Sequence, residues 1–386
     1  MIPFQINTAP NVIADLNTRI SNAILPDEVK NEKWQMGTSK AYLQELCDYW
    51  RTEFDWFAQE TALNQFNHFK AGIEGFDLHF IYEKGKGKRR IPVLLIHGWP
   101  DSFYRFYKLI PLLTQAGSGG VSFDVIVPSL PGFGFTESHK DGVDSRKIAS
   151  VLNSLMISEL GYSEYFVHGG DWGTSIAEKL ALYHTSNILG LHLTDLPFAH
   201  TLDQPDDGTD AELKFFKEIQ EWQQKEGAYS MIQATKPQTL AYALTDSPVG
   251  LAAWIIEKFH RWSDHSGDIE TAFSKDELLT NITLYWITSS INSANRLYYE
   301  EMQTIMAAKF NPLIKLNPFG KTGDKVKVPT AFAFFPRDIS APPKEFADRF
   351  FPIVKWTKMD AGGHFAALEV PESLAMDIRE FMTSNV

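Results

Sequence analysis

The sequence has few of the features that mark a secreted or membrane protein. Cys47 is the single cysteine, so neither an internal disulfide nor a cysteine metal site can form. No stretch approaches the roughly 20 consecutive apolar residues that cross a bilayer. Residues 1–20 carry Asn and Asp among their apolar positions, which argues against a signal peptide or an N-terminal anchor. We therefore expect a soluble, cytoplasmic protein without a membrane anchor.

Basic residues are in deficit as well. The chain has 36 Lys and Arg residues against 48 Asp and Glu residues, which gives a formal net charge of −12. Phosphate groups would be repelled unless a basic face were segregated, so nucleic acid is not an expected partner. The sequence also lacks an H-E-x-x-H zinc motif, a Walker A sequence and a G-x-G-x-x-G fingerprint. We expect neither a metal nor a cofactor.

The 386 residues, of which 44% are hydrophobic, can bury a large core. From residue 91 onward, short apolar runs alternate with helical patterns, which predicts parallel βαβ units with right-handed crossovers. The alternation stops at about residue 198 and resumes near residue 330. The sequence therefore predicts an α/β fold with an N-terminal wrapping region (1–75), a core in two parts (76–197 and 328–386) and a helical lid between them (198–327).

The N-terminal region has few strand signals and a strong helical pattern. Ser39 to Gln65 are predicted to form one long helix, on which Trp50, Phe54 and Phe57 share a face.

The most informative motif is Gly169-Gly-Asp-Trp-Gly173, which follows an apolar strand and precedes a predicted helix. It has the spacing of the G-x-S-x-G nucleophile elbow, with Asp171 in the position where serine is usual. The sequence contains no G-x-S-x-G, so no serine competes for this role. The alternative interpretation is a glycine-rich turn in which Asp171 only caps the helix.

Two further segments support the elbow. His97-Gly-Trp-Pro100 follows the first buried strand, where the backbone N–H of Trp99 could form an oxyanion hole with that of Trp172. Near the end of the chain, Asp338 and then His364 each follow a predicted strand. The order Asp171, Asp338, His364 is the order nucleophile, acid, histidine of the α/β-hydrolases.

An aspartate nucleophile indicates displacement at a saturated carbon. A carboxylate is ionised at neutral pH and attacks without a base, and the ester that it forms can be hydrolysed at its carbonyl. His364, oriented by Asp338, would activate the water for that second step. An epoxide oxygen leaves as an alkoxide and needs an acid, which a lid tyrosine could supply. The candidates are Tyr229, Tyr242, Tyr285, Tyr298 and Tyr299.

The chain resembles the microsomal-type epoxide hydrolases of the α/β-hydrolase fold over nearly its whole length. The motifs that carry the resemblance are Tyr49–Phe66, His97–Pro100, Gly169–Gly173, Ile232–Pro237, Asp246–Ala252 and Gly362–Ala366. The resemblance implies an epoxide hydrolase that acts without a cofactor on a small apolar epoxide and water, in detoxification or catabolism. It also allows a homodimer.

By position in these motifs, Asp171 resembles the nucleophile, His364 the base and Asp338 the acid that orients the histidine. Tyr229 and Tyr298 resemble the two lid tyrosines, with the adjacent Tyr299 as an alternative to Tyr298. The aromatic side chains of Trp99, Trp172 and Phe365 are predicted to contact substrate.

Two other functions compete with this interpretation. A haloalkane dehalogenase can share the aspartate elbow and the histidine, but it would need indole or amide N–H donors for the halide in place of proton-donating tyrosines. A non-catalytic binding protein could keep the fold and its apolar pocket, but it should have lost a member of the triad.

Overall fold

The computed structural model describes residues 1–30, 33–137, 142–310 and 325–386. In these ranges, one sheet has the strand order β1-β2-β3-β5-β4-β6-β7-β8-β9. The pairs β1–β2, β2–β3 and β3–β5 are antiparallel, and all the others are parallel. The strands are β1 (Ile2–Phe4), β2 (His68–Ile73), β3 (Phe76–Glu83), β4 (Arg89–Ile96), β5 (Val121–Pro128), β6 (Tyr165–Gly169), β7 (Ile188–Leu193), β8 (Thr330–Phe334) and β9 (Ile353–Lys358).

The central strand β4 explains why both faces of the sheet are covered. Val93 and Leu95 belong to one cluster of buried apolar side chains. Leu94 and Ile96 belong to the other. Successive side chains of a strand point to opposite faces, so this continuous apolar run needs helices on both sides.

The helices supply that cover. Those beside the sheet include α4 and α15, which pack together, and the pair α5 and α6. In chain order the helices are α1 (Pro10–Ser21), α2 (Lys40–Thr52), α3 (Trp56–Leu63), α4 (Leu109–Thr114), α5 (Ser145–Ser154), α6 (Trp172–Tyr183), α7 (Asp210–Glu226), α8 (Ala228–Thr235), α9 (Pro237–Asp246), α10 (Pro248–Trp262), α11 (Lys275–Thr288), α12 (Ile291–Phe310), α13 (Lys344–Ala347), α14 (Ala366–Glu369) and α15 (Pro371–Ser384).

Strand β4 is also where the order of the sheet changes direction. It pairs with β5 on one side and with β6 on the other, and both neighbours run parallel to it. The loops that leave the carboxyl ends of β4 and β6 therefore diverge and leave a crevice, where open α/β sheets bind ligands. The mostly parallel sheet with helices on both faces confirms the predicted α/β class.

Helices α7 to α12 lie between β7 and β8, and the described part of residues 198–327 contains no strand. Residues 311–324 of this stretch lie outside the described residues. Helix α12 packs against both α8 and α9. We propose that these helices form one insertion, with domain boundaries near residues 76, 198 and 328.

The N-terminal region differs from the prediction in two ways. The expected single helix over Ser39–Gln65 is wrong: α2 ends at Thr52 and α3 begins at Trp56. The break occurs because the Asp55 side chain caps α3 by accepting the N–H groups of Phe57 and Ala58. The region also contains two strands for which the sequence shows few signals, since β2 pairs antiparallel with β3 and β1 pairs antiparallel with β2. The pairing of β1 with β2, which joins Ile2 to Lys70, is a long-range contact that local patterns do not report.

Among the described residues, no single helix is long and apolar enough to cross a membrane. Within the described ranges, one bent pair, α9 with α10, reaches the required length and composition, with a bend of 116° at its break.

Candidate active site

Asp171 occupies a sharp turn between β6 and α6. Its backbone has φ 57° and ψ −128°, a conformation that L-residues rarely adopt. The Asp171 N–H donates to Oδ2 of Asp195 at 2.8 Å. The turn thus projects the Asp171 side chain from the carboxyl edge of the sheet, as the elbow motif predicts.

Glycine is required where the backbone passes close to this turn. A Cβ on Gly98 would lie 2.1 Å from Oδ1 of Asp171, and one on Gly173 would lie 2.1 Å from the carbonyl oxygen of Ile96. The glycines of His97-Gly-Trp-Pro and of the elbow therefore let the two loops meet at the carboxylate.

Two backbone N–H groups point at the Asp171 carboxylate. The N–H of Trp99 donates to Oδ1 at 2.8 Å, and the N–H of Trp172 also hydrogen-bonds this side chain. Burial alone would raise the pKa of Asp171, but the hydrogen bond and charge of His364 and these two N–H groups hold it below its ordinary value. The carboxylate is therefore ionised at neutral pH, with two donors already in the position of an oxyanion hole.

His364 connects Asp171 to Asp338. Its Nδ1 is 2.8 Å from Oδ1 of Asp338, and its Nε2 is 3.4 Å from Oδ2 of Asp171. The side chains of His364 and Asp338 are 2% and 1% exposed. Burial would lower the pKa of His364, but the two carboxylates raise it well above its ordinary value. Contact with the two carboxyl groups therefore favours the protonated imidazole.

The loop that carries His364 is attached to the insertion. The N–H of His364 donates to the carbonyl oxygen of Trp262 at 2.7 Å, and the N–H of Gly362 donates to Oδ2 of Asp264 at 2.9 Å. Both acceptors lie at the carboxyl end of α10 or directly after it. The position of the histidine thus depends on the insertion as well as on the sheet.

Tyr229 and Tyr298 reach the site from α8 and α12. The ring of Tyr229 stacks on Trp99 at 5.2 Å between centroids, and the ring of Tyr298 lies edge-on to Trp172 at 4.8 Å. Burial and the charge of Asp171 raise the pKa of both phenols, so both stay protonated at neutral pH. The proximity of the two hydroxyls lowers the pKa of Tyr229 and raises that of Tyr298.

These groups open into a cavity of about 220 Å³ between the sheet edge and the insertion. Asp171, His364, Asp338 and both tyrosines line it. Its apolar walls include Leu196, Phe198, Leu202, Ile219, Trp222 and Met302. An apolar chamber with a few convergent polar groups is typical of a small-molecule site.

Trp99 and Phe365 are placed differently from the residues that line the cavity. Trp99 is enclosed beneath Tyr229, and Phe365 stacks on Phe259 at 3.9 Å between centroids, behind His364. Of the predicted substrate contacts, Trp172 is the one found in the described lining of the cavity. Tyr298, and not Tyr299, lies in that lining.

The chain matches two known protein families, one in its N-terminal region and one in the following part of the sheet domain. The family described as "Epoxide hydrolase N terminus" matches residues 1–106, and the alpha/beta hydrolase fold matches residues 91–251. Epoxide hydrolase 1 of Sus scrofa is 40% identical over 411 residues, which cover 98% of this chain and 88% of that protein. The chain belongs to the epoxide hydrolase family.

Solved structures of this family have the same architecture. The juvenile hormone epoxide hydrolase of the silkworm Bombyx mori superposes with a TM-score of 0.84 at 30% identity, covering 100% of this chain and 93% of that one. The Aspergillus niger epoxide hydrolase gives a TM-score of 0.84 at 26% identity, covering 100% of this chain and 96% of that one. These likenesses confirm both the α/β-hydrolase fold and the family that the sequence motifs indicated.

Two charged residues of this epoxide hydrolase site were missed in the sequence. Asp195 follows β7 and accepts the N–H of Asp171. Arg105 is 2% exposed, pairs with Asp101 and donates to the carbonyl oxygen of His364. The position of Asp195 after a buried strand was a usable signal, because neighbouring parallel strands end at one edge. Arg105 offered none, since the His364 carbonyl oxygen to which it donates lies far away in the chain.

Oxygen and nitrogen atoms of Asp195, Asp338 and His364 lie within 4.8 Å of one another, a spacing that a metal ion could use. The imidazole Nδ1 is already hydrogen-bonded to Asp338, and Nε2 faces Asp171. A cation here would have to displace the contacts that orient the histidine. The donor set therefore fits a hydrogen-bonded triad better than a metal centre.

Proposed function

We propose that this protein hydrolyses a small apolar epoxide to a vicinal diol through a covalent ester on Asp171. The proposal rests on one observation: three sets of functional groups surround the Asp171 carboxylate. Two backbone N–H groups contact it, His364 lies 3.4 Å away, and two phenols share its cavity. Each set of groups has a chemical role in this reaction.

The first step is displacement at carbon. The Asp171 carboxylate attacks one ring carbon of the epoxide, so that an ester C–O bond forms as the ring C–O bond breaks. The phenol proton of Tyr229 passes to the released oxygen, and Tyr298 stabilises the resulting phenolate by donating to it. The shape of the apolar walls selects which carbon and which enantiomer react.

The second step is hydrolysis of the ester. Esterification removes the negative charge of Asp171, one of the causes that raise the pKa of His364. The imidazolium then gives up its proton, which restores the phenol of Tyr229, and the neutral imidazole can act as a base. His364 takes a proton from water while the oxygen adds to the side-chain carbonyl of Asp171. The N–H groups of Trp99 and Trp172 stabilise the oxyanion. The proton of the regenerated carboxylic acid passes to the departing diol oxygen, so the cycle ends with an ionised Asp171, a protonated His364 and two neutral phenols.

Halide displacement could share the first step, but a halide leaves without a proton. The paired phenols would then have no task. A binding protein without activity would not need an ionised Asp171, a buried His364 and Asp338 in contact. Diol formation from terminal, cyclic and trans-disubstituted epoxides, set against halide release from haloalkanes, separates the three functions.

Oxygen tracing tests the covalent route directly. In a single turnover in H₂¹⁸O with enzyme in excess, the first diol is expected to carry unlabelled oxygen from the Asp171 carboxylate. The label should instead enter the side chain of Asp171, where peptide mass spectrometry locates it. Labelled diol with an unlabelled peptide would mean direct attack by water and would refute the ester.

The tyrosines give a second prediction. Tyr229→Phe and Tyr298→Phe should each lower kcat by about 10²-fold, and the double variant by up to about 10⁴-fold, because general acid assistance has this size. The loss should be smaller for epoxides whose ring oxygen needs less protonation. The matched control is Tyr242→Phe, because Tyr242 also lies in the insertion but is 74% exposed. Wild-type turnover by the double variant would contradict the role of the phenols.

A further inference from the structure

Asp195 is an acidic residue of the site to which the proposed reaction gives no task. It follows β7 and lines the same cavity as Asp171 and His364. Its Oδ2 accepts the N–H of Asp171 at 2.8 Å. Asp195 therefore fixes the backbone of the nucleophile in its positive-φ turn.

The other oxygen of Asp195 is enclosed without a hydrogen-bond partner among the described residues, and so is Oδ2 of Asp338. Oδ1 of Asp338 is fully used, because it faces Nδ1 of His364 at 2.8 Å and accepts the N–H of Ile339 at 2.7 Å. A buried oxygen without a partner destabilises the folded state, because the hydrogen bonds that it made to water are lost. One proton held between these two carboxyl groups would satisfy both oxygens.

We propose that Asp195 is a positioning residue that is kept as a neutral carboxylic acid. Through Oδ2 it holds the N–H of the Asp171 nucleophile, and through a protonated Oδ1 it donates a hydrogen bond to Oδ2 of Asp338. Asp338 is then held from both sides, by His364 and by Asp195, and its orientation toward the histidine is fixed. The assignment rests on the proposed function only for its kinetic test.

The surrounding charges favour the neutral form. Asp195 faces Asp338 from the loop after β8, Asp171 from the elbow, His364 from the loop after β9 and Arg105 from the segment after β4. Burial, followed by the charge of Asp338, raises the pKa of Asp195 to about 7, although His364 opposes the shift. An oxygen of Asp195 and an oxygen of Asp338 lie within 4.8 Å of each other. Two carboxyl groups at this separation share one proton more readily than they both ionise.

The kinetic test compares an amide with a methyl group at this position. Asp195→Asn can still accept the N–H of Asp171 and donate to Asp338, so we expect kcat to fall less than tenfold. Asp195→Ala loses both bonds and should lower kcat by about 10²-fold, the size of effect expected from a misplaced nucleophile. The ionisation near pH 7 should shape the wild-type kcat/KM profile and be absent from that of Asp195→Asn. Equal losses in the two variants, or an unchanged profile in Asp195→Asn, would overturn the proposal.

A stability test does not depend on epoxide turnover. An aspartate whose pKa is raised in the folded state binds a proton that the unfolded state has released, so its contribution to stability falls as the pH rises from about 4 through about 7. Asp195→Asn removes this loss. Its melting temperature relative to the wild type should therefore be higher at pH 8 than at pH 5.

The matched control for the stability test is Asp124→Asn, the same substitution of a buried aspartate in β5 that accepts the N–H of Gly85 and the hydroxyl of Tyr162. This control should not reproduce the shift of Asp195→Asn between pH 5 and pH 8. A melting difference for Asp195→Asn that does not change with pH would mean an ionised Asp195 and would overturn the proposal, whatever the enzyme does with epoxides. The pH-dependent difference in a protein that hydrolyses no epoxide would instead refute the proposed function and leave the protonation of Asp195 in place.

Discussion

Replacing Asp171 with alanine should lower epoxide turnover by a factor on the order of 10⁴ to 10⁶, the loss that accompanies removal of a covalent nucleophile. The site offers no evident substitute among the described residues. Asp195 accepts a hydrogen bond from the backbone N–H of Asp171, and Asp338 is hydrogen-bonded to His364. We expect diol formation, measured with styrene oxide or a similar substrate, to fall to the background level.

The backbone at residue 171 calls for a second variant. Alanine at φ 57° is strained, whereas glycine adopts this conformation freely. Asp171→Gly should therefore melt at the same or a higher temperature than Asp171→Ala, and both should be inactive. A folded Asp171→Gly protein that still forms diol at an appreciable rate would refute the nucleophile, because misfolding could no longer explain the data.

Replacing His364 with alanine should stop the reaction after the covalent ester has formed. The first step needs only the carboxylate and the phenols, whereas hydrolysis of the ester needs a base, so kcat should fall by about 10⁴-fold while the ester accumulates. Intact-protein mass spectrometry should then show a gain equal to the mass of one epoxide. Peptide mapping should locate that gain on Asp171.

The double variant Asp171→Ala, His364→Ala is the control for this trapping experiment and should gain no mass. An unmodified single variant that has lost its turnover would argue against a covalent intermediate. A gain in mass by the double variant would show that the epoxide binds covalently to another residue, and the assignment of Asp171 as the nucleophile would then fail.

The sequence was sufficient for the fold class because the decisive patterns are local. The apolar runs that became β4 to β9 and the glycines of the elbow were legible without tertiary information. The break at Asp55 and strands β1 and β2 were not. The break depends on a side-chain cap that competes with helix continuation, and β1 depends on pairing with β2, which comes much later in the chain.

The site was partly legible for the same reason. Asp171, Asp338 and His364 could be named because each follows a strand in a recognisable order. Sequence motifs do not predict which other residues pack against the site. Arg105 and Asp195 were therefore found only through their contacts with distant residues. The placement of Phe365 was equally hidden, because the residue after His364 could face either the chamber or the core.

The attachment of the histidine loop to the end of α10 has a consequence for engineering. Exchanging the whole insertion with that of a relative would also exchange the carbonyl group of Trp262 that holds His364. A chimaera limited to residues 203–226 would replace the wall formed by α7 and leave this anchor, Tyr229 and Tyr298 native. Such grafts would alter which epoxides fit while preserving the chemistry, whereas exchange of the whole insertion would change both together.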